Sequence, residues 1–312
     1  MKKSAKIYVG GHEGMVGSAL MRELESREYK NVITVPFHKL DLRNQSAVDA
    51  FFKAERPEWV ILAAARVGGI GENAKSPADF MLDNLLIAAN TIRAAFDNGA
   101  EKLIFICSSS IYPASITAPK EEDVFKGPPD KSNEGYSLAK LFGLKLCEMY
   151  HKQHDVNYFS VIPCNIYGGN DRFFGDSAHV IPAMIHKFHQ AKQNSEPFVS
   201  VWGSGKAMRE FLYADDFADI CISLLERNAW TGPSINIGSR EYITIRELSY
   251  LVKKVVGYHG EIIFEEERPE GQMLRKMDLT KLCDLSWRAK TSIENGLRET
   301  YRFYLNNIEN LR

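Results

Sequence analysis

Tyr136 and Lys140 stand in the run YSLAK, at a spacing that puts both side chains on one face of a helix. An ammonium near a phenol stabilises phenolate and lowers the tyrosine pKa, so the pair suits proton transfer to or from a sugar oxygen, with Lys140 also placed to hold a cofactor ribose. Upstream, Cys107-Ser108-Ser109-Ser110 closes the apolar run KLIFI, where a serine hydroxyl would lie at the carboxyl edge of a sheet. Near the N-terminus, Gly11, Gly14 and Gly17 form G-x-x-G-x-x-G directly after IYV. Glycines there permit a tight turn and close backbone approach, and a helix starting at Met15 and Val16 would aim its N-terminus at a pyrophosphate. Strand, glycines and helix in that order make dinucleotide binding the expectation.

The second strand of such a fold ends near the adenosine ribose, and here the chain reads Pro36-Phe37-His38-Lys39. No acid follows Val35 to accept a ribose 2′-hydroxyl, and no arginine stands there for a 2′-phosphate. His38 and Lys39 are the available substitutes, equally readable as solvated loop residues, and Asp41 is placed to approach the adenine.

These residues need a scaffold, and the chain supplies one. Short β-branched runs (KIYV, NVITV, WVILAA, KLIFIC, YFSVIP) alternate with amphipathic stretches at 15–28, 45–54, 77–98 and 136–154, the third opened by Ser76 at the N-cap and Pro77 at N1. This βαβ rhythm predicts an α/β fold, a Rossmann-type doubly wound parallel sheet with helices on both faces. After Pro163 the rhythm breaks at GGNDRFFGDSAHVIP, which leads into a helix near His179 and then the strand FVSVW. SINIG reads as a strand returning to the main sheet, and Thr244 with Glu247 as a capping box opening a helix over 244–256. The expected division is residues 1–168 plus about 212–240 as the dinucleotide-binding domain, and about 169–211 plus 241–312 as a smaller C-terminal substrate-binding lobe.

Composition narrows the function classes. The chain has 312 residues with 39 Lys+Arg against 40 Asp+Glu, so the basic surface of a general nucleic-acid binder is not indicated. Its longest apolar stretches, such as Trp59 to Ala65, fall far short of the roughly 20 residues that span a bilayer. With no signal-peptide pattern after Lys2 and Lys3, a cytoplasmic protein is expected. Cys107, Cys147, Cys164, Cys221 and Cys283 include no C-x-x-C pair and read as buried thiols rather than disulfides or zinc ligands.

Glycine loop, strand-end serines and Y-x-x-x-K together resemble the extended short-chain dehydrogenase/reductase superfamily. GHEGMVGSAL, AAARVGGI, SSSIYP, NEGYSLAK, PCNIYG, AHVIPA, WGSGKAMREF and LRKMDLT resemble, in order and over nearly the whole chain, the GDP-L-fucose synthase family. The resemblance implies NADPH-dependent conversion of GDP-4-keto-6-deoxy-D-mannose to GDP-L-fucose, by epimerisation at C3 and C5 followed by hydride reduction at C4. In that scheme Tyr136 protonates the C4 oxygen, Ser108 is its hydrogen-bond partner and Lys140 tunes the tyrosine. The nicotinamide side falls to Pro163, Asn165 and Ile166, and the GDP-sugar to Lys187, Trp202, Arg209 and Asp278. His179 matches the epimerising histidine, which also borders the cofactor. A homodimer built on the helices at 77–98 and 136–154 is also implied, with Leu82, Leu85, Leu86, Ala89 and Ile92 as an apolar stripe.

The chain departs from the family pattern at several positions. Ser110 stands where the family has its epimerising cysteine, and an alcohol ionises many units above a thiol at about 8.5. Either the protein is a C4 reductase with lost or crippled epimerase activity, acting on a related GDP-4-keto-deoxy sugar or heptose, or the serine is a deliberate replacement. Lys187 replaces an arginine, exchanging a bidentate fork for a point charge. Glu13 and Phe37 replace two arginines near the adenosine phosphate, and Glu13 would repel a 2′-phosphate.

Overall fold

The computed structural model describes residues 3–175, 178–227, 232–267, 273–274 and 276–311; Asp176, Ser177 and Arg275, which belong to two of the motifs above, lie outside them. The first half of the chain runs β1 (Ile7–Gly10), α1 (Met15–Ser26), β2 (Val32–Ile33), α2 (Gln45–Glu55), β3 (Trp59–Leu62), α3 (Ile70–Lys75), α4 (Pro77–Asp97), β4 (Lys102–Ile106), α5 (Glu134–His154) and β5 (Asn157–Pro163). The second half runs β6 (Asn165–Tyr167), α6 (Val180–Gln193), β7 (Phe198–Trp202), β8 (Met208–Tyr213), α7 (Ala214–Glu226), β9 (Ser234–Ile237), β10 (Tyr242–Thr244), α8 (Ile245–Val256), β11 (Glu261–Glu265), α9 (Thr280–Asp284) and α10 (Ile293–Asn307).

Six strands form the main sheet in the order β2-β1-β3-β4-β5-β9, and every pairing is parallel. Strands β1, β3 and β9 are buried along their whole length; β1 and β3 accordingly read as apolar runs, whereas β9 also buries the polar Ser234 and Asn236. The chain leaves β1 toward β2 on one side and returns to β3 on the other. That reversal opens a crevice beyond the carboxyl ends of β1 and β3, where ligands of such sheets bind. The returning strand expected at SINIG is β9, paired with β5.

A second core gathers Tyr167, Ile185, Phe188, Val252, Leu297 and Tyr304 with their neighbours, apart from the main one. It lies with β6, β8 and β10 and with the parallel pair β7 and β11. β8 is the shared wall: Leu212 packs into the main core and Phe211 into the second, as strand alternation requires. Met277, Leu279, Leu282 and Trp287 pack into the main core.

Local signals hold with instructive exceptions. The Thr244–Glu247 capping box forms in full, the Thr244 N–H donating to Glu247 Oε2 at 2.9 Å and the Glu247 N–H to Thr244 Oγ1 at 3.1 Å. Ser76 occupies the N-cap of α4 but makes no side-chain cap bond, because it also ends α3, its own N–H donating to Glu72 O. NVITV yields only Val32–Ile33 as strand. Four of the five cysteines are buried, whereas Cys283 is exposed.

Candidate active site

The glycine loop is shaped by contacts no side chain tolerates. Gly11 has φ 85°, and a Cβ on it would lie 2.6 Å from Ala64 N; one on Gly17 would lie 2.0 Å from Gly11 O. Gly14, the N-cap of α1, would place a Cβ no nearer than 3.6 Å to Gly11 O, so it leaves room on the ligand side. Beyond this loop a cleft of about 570 Å³ is lined by Gly11, Gly14, Met15, Val16 and Gly17. Two buried polar atoms in its lining have no hydrogen-bond partner, His12 Nδ1 and Asp171 Oδ2. A glycine cradle at a helix N-terminus with unpaired polar atoms beside it fits a dinucleotide.

At the adenosine end the wall is Phe37, Leu40, Asp41, Leu42 and Arg43. The turn after β2 leaves His38 and Lys39 exposed, the Lys39 N–H donating to Pro36 O at 2.9 Å. Arg43 escaped the sequence reading because it stands beyond the usual position. Its Cζ lies 5.4 Å from the Phe37 ring centroid, and its guanidinium is held by Asp41, with Nη2 2.7 Å from Oδ2, and by Asp83 at 3.1 Å. Arg66, also in the wall, contacts the same Asp83 at 3.0 Å. That pairing holds Asp41 below the usual carboxylate range and Arg43 above its own.

Tyr136, Lys140 and Ser108 come together where α5 crosses the end of β4. α5 lies close because Gly143 has no side chain: a Cβ there would be 2.4 Å from Phe105 Cζ. Lys140 is buried, its Nζ donating to Ile106 O at 2.8 Å and lying 5.8 Å from the Tyr136 ring centroid. Burial brings its pKa down to about 8. Tyr136 does not follow the expectation of a lowered pKa: burial raises it, with only the hydrogen bond to Ser108 opposing. Desolvation of the phenolate is the largest cause of the shift. Tyr136 is therefore a phenol at neutral pH, a proton donor.

Ser108 Oγ accepts from the Ser110 N–H at 3.2 Å. Ser110 is 4% exposed, and its Oγ has no hydrogen-bond partner. Cys107 offers no substitute base: its thiol is buried beside Lys140 O at 3.6 Å, and burial pushes it up to about 12. Burial likewise raises Cys164 well above the ordinary thiol value. His179 sits at the N-cap of α6 and lines the cleft with Asn170, Asp171 and Arg172. Pro163 ends β5, and Asn165 and Ile166 open β6, where Asn165 Nδ2 donates to Glu210 O at 3.0 Å.

Of the expected sugar-nucleotide residues, Lys187 reaches β7 at Ser200, and Trp202 ends the same strand. Lys187 Nζ donates to Ser200 O and, at 3.0 Å, to Ser200 Oγ. Ser200 lies on the same strand face as Trp202, whose ring is 64% exposed. Arg209 is on β8, facing as Phe211 does, and its Nη1 donates to Met208 O at 2.7 Å. Asp278 stands beside the 112–123 segment. Its N–H donates to Pro119 O at 3.0 Å, and its carbonyl accepts from Asn236 Nδ2 at 2.9 Å.

Comparison with known proteins matches residues 7–238 to the model of the NAD dependent epimerase/dehydratase family. The chain belongs to that family. An Arabidopsis thaliana protein named putative GDP-L-fucose synthase 2 is 44% identical over 99% of this chain and 94% of its own length. The Escherichia coli GDP-L-fucose synthase is 42% identical over 98% of each. Among solved structures, a GDP-6-OMe-4-keto-L-xylo-heptose reductase from C. jejuni has a TM-score of 0.91 at 33% identity, covering 98% of this chain and 99% of that one. A GDP-mannoheptose C4 reductase from Campylobacter jejuni, with NADP bound, has a TM-score of 0.87 at 34% identity over the same shares. For this member of the epimerase/dehydratase family, the glycine cradle is of the kind that binds a dinucleotide. No helix among the described residues is long and apolar enough to cross a membrane.

Proposed function

We propose that this NADP-dependent oxidoreductase acts on GDP-4-keto-6-deoxy-D-mannose, the substrate that its resemblance to GDP-L-fucose synthases implies, and that C4 reduction is the step its site is built to perform. The observation carrying this reading is the phenolic Tyr136 bonded to Ser108 at the end of β4, beside the buried Lys140. NADPH, when bound, supplies the hydride to C4. Tyr136 donates its proton to the C4 oxygen, and Ser108 hydrogen-bonds that oxygen as negative charge develops. Lys140 holds the nicotinamide ribose, and Pro163, Asn165, Ile166 and His179 border the ring. The glycine loop takes the pyrophosphate, and Arg43 is the cation for the 2′-phosphate. Lys187, Trp202, Arg209 and Asp278 hold the GDP-sugar, with residues 1–168 plus about 212–240 carrying cofactor and the rest of the chain carrying substrate.

Epimerisation at C3 and C5 needs a base on one side of the enolate and an acid on the other. His179 is available as the acid. Ser110, buried and without a partner, is no base near neutral pH, and neither nearby thiol replaces it. This favours a second reading, C4 reduction alone of a related GDP-4-keto-deoxy sugar or heptose. Turnover of GDP-4-keto-6-deoxy-D-mannose with NADPH in deuterated water separates the two. Deuterium at both C3 and C5 of a GDP-L-fucose product establishes epimerisation; a reduced product with protium at both carbons establishes a reductase, and Ser110→Cys should then introduce exchange. No reduced product at all sinks the proposal. A cytoplasmic homodimer through α4 and α5 completes it, supported by the exposed apolar residues Leu82 and Met81 on α4 and Phe142 and Met149 on α5.

A further inference from the structure

We infer that Asp171 is a positioning residue that fixes the orientation and charge of His179, an inference that rests on the proposed role of His179 as an acid. His179 Nδ1 lies 3.5 Å from Asp171 Oδ1. The histidine side chain is 48% exposed and the aspartate side chain only 7%, and both line the cofactor cleft. The second carboxylate oxygen, Oδ2, is buried without a partner, so a buried carboxylate spends one oxygen on the imidazole and keeps the other beside the cleft.

His179 stands where a cation is disfavoured. At the N-cap of α6 it makes no side-chain bond to the free helix amides, and a helix N-terminus carries the equivalent of about half a positive charge. Its hydrogen bond to Asp171 nevertheless raises the imidazole pKa above the ordinary value, outweighing the opposing effects of burial and of Arg172. Glu13, Asp41, Arg43, Arg66 and Asp83 line the same cleft. With the Nδ1 N–H of His179 directed at Asp171 Oδ1, the tautomer is settled and Nε2 is left for a ligand.

The aspartate is itself anchored. Asn170 takes a left-handed conformation, φ 61°, which asparagine tolerates. Asp171 Oδ1 also accepts from the Arg172 N–H at 2.8 Å. Arg172 Nη1 reaches across the cleft to Val67 O at 3.1 Å and lies 3.9 Å from Glu72 Oε2. The 170–172 loop is thus tied to the segment after β3, and the carboxylate is held under His179 before any ligand arrives.

The test is titration of the His179 ring by NMR in the full-length protein, its resonance assigned by loss in His179→Gln. Asp171→Asn keeps the shape and removes the charge. The His179 midpoint should fall below that of the unmutated protein, the alkaline limb of turnover should move to lower pH, and kcat should drop by about tenfold or more. Asp171→Glu keeps the charge and should retain the raised midpoint, which separates electrostatics from misfolding. An unchanged midpoint in Asp171→Asn overturns the inference. A lowered midpoint together with full turnover in His179→Gln supports the Asp171 coupling and refutes the acid role of His179 instead.

Discussion

Lys140 shows how burial at a single residue divides stability from activity. Its pKa, brought down to about 8 by burial from an ordinary value of 10.5, lies below that of the unfolded chain. The unfolded state therefore binds more protons across the window from about 8 to 10.5, and stability rises with pH through it. Near pH 7 the ammonium is present and its desolvation is fully felt. Lys140→Met should raise stability by roughly 1–3 kcal/mol in denaturant melts while reducing turnover by orders of magnitude, and a melt below that of the unmutated protein would refute the buried-charge account. Arg43 sets a second expectation. A charge-assisted hydrogen bond contributes about 1.5–3 kcal/mol, so Arg43→Leu should weaken 2′,5′-ADP binding by roughly tenfold or more and leave 5′-AMP binding much less affected. Equal losses would assign Arg43 to holding Asp41 and Asp83 rather than phosphate. Tyr136, Lys140 and Ser108 were legible from residue type and spacing. Arg43 was not, because its guanidinium returns to the Phe37 ring from further along the chain, a path that only the turn after β2 defines.

At the scale of elements, the glycines of the β1–α1 turn have different tasks that one motif conceals. A Cβ on Gly17 collides with Gly11 O at 2.0 Å, whereas one on Gly14 meets that oxygen at 3.6 Å. Gly17→Ala should displace α1 and destabilise the protein by about 3 kcal/mol, visible as a lowered melting temperature without cofactor. Gly14→Ala should melt normally and lose NADPH affinity, because its added methyl faces the pyrophosphate. Identical behaviour of the two variants would show that the cradle is not read correctly. Helix boundaries followed from periodicity and caps to within a residue or two at α2, α4 and α8. α3 went unread because its six residues carry no periodic stripe, and β2 is shorter than its composition suggested because Thr34 and Val35 already lead into the turn.

For the whole molecule, the proposed dimer rests on the outward face of α4. Ile92 packs in the main core, but Leu82 is 58% exposed, and Leu85, Leu86 and Ala89 remain partly accessible. On α5, Phe142 and Met149 are two helical turns apart and exposed. Leu82→Glu should convert a dimer to monomer in analytical ultracentrifugation with secondary structure intact; an unmutated protein that sediments as a monomer removes the dimer proposal.

The parallel sheet, the glycine loop and the Tyr136–Lys140 pair were determined by the sequence alone, because buried strands, tight turns and helix faces each impose a pattern on neighbouring residues. What tertiary structure decided are the properties that depend on distant segments. Burial of its phenol makes Tyr136, on α5, an acid rather than a ready phenolate. The tie of the 170–172 loop to the segment after β3 places Asp171 beside His179. The packing around β4 leaves Ser110 sealed and unpaired. Desolvation and contact between distant segments leave no signature in local spacing, so these features became visible only in the folded chain.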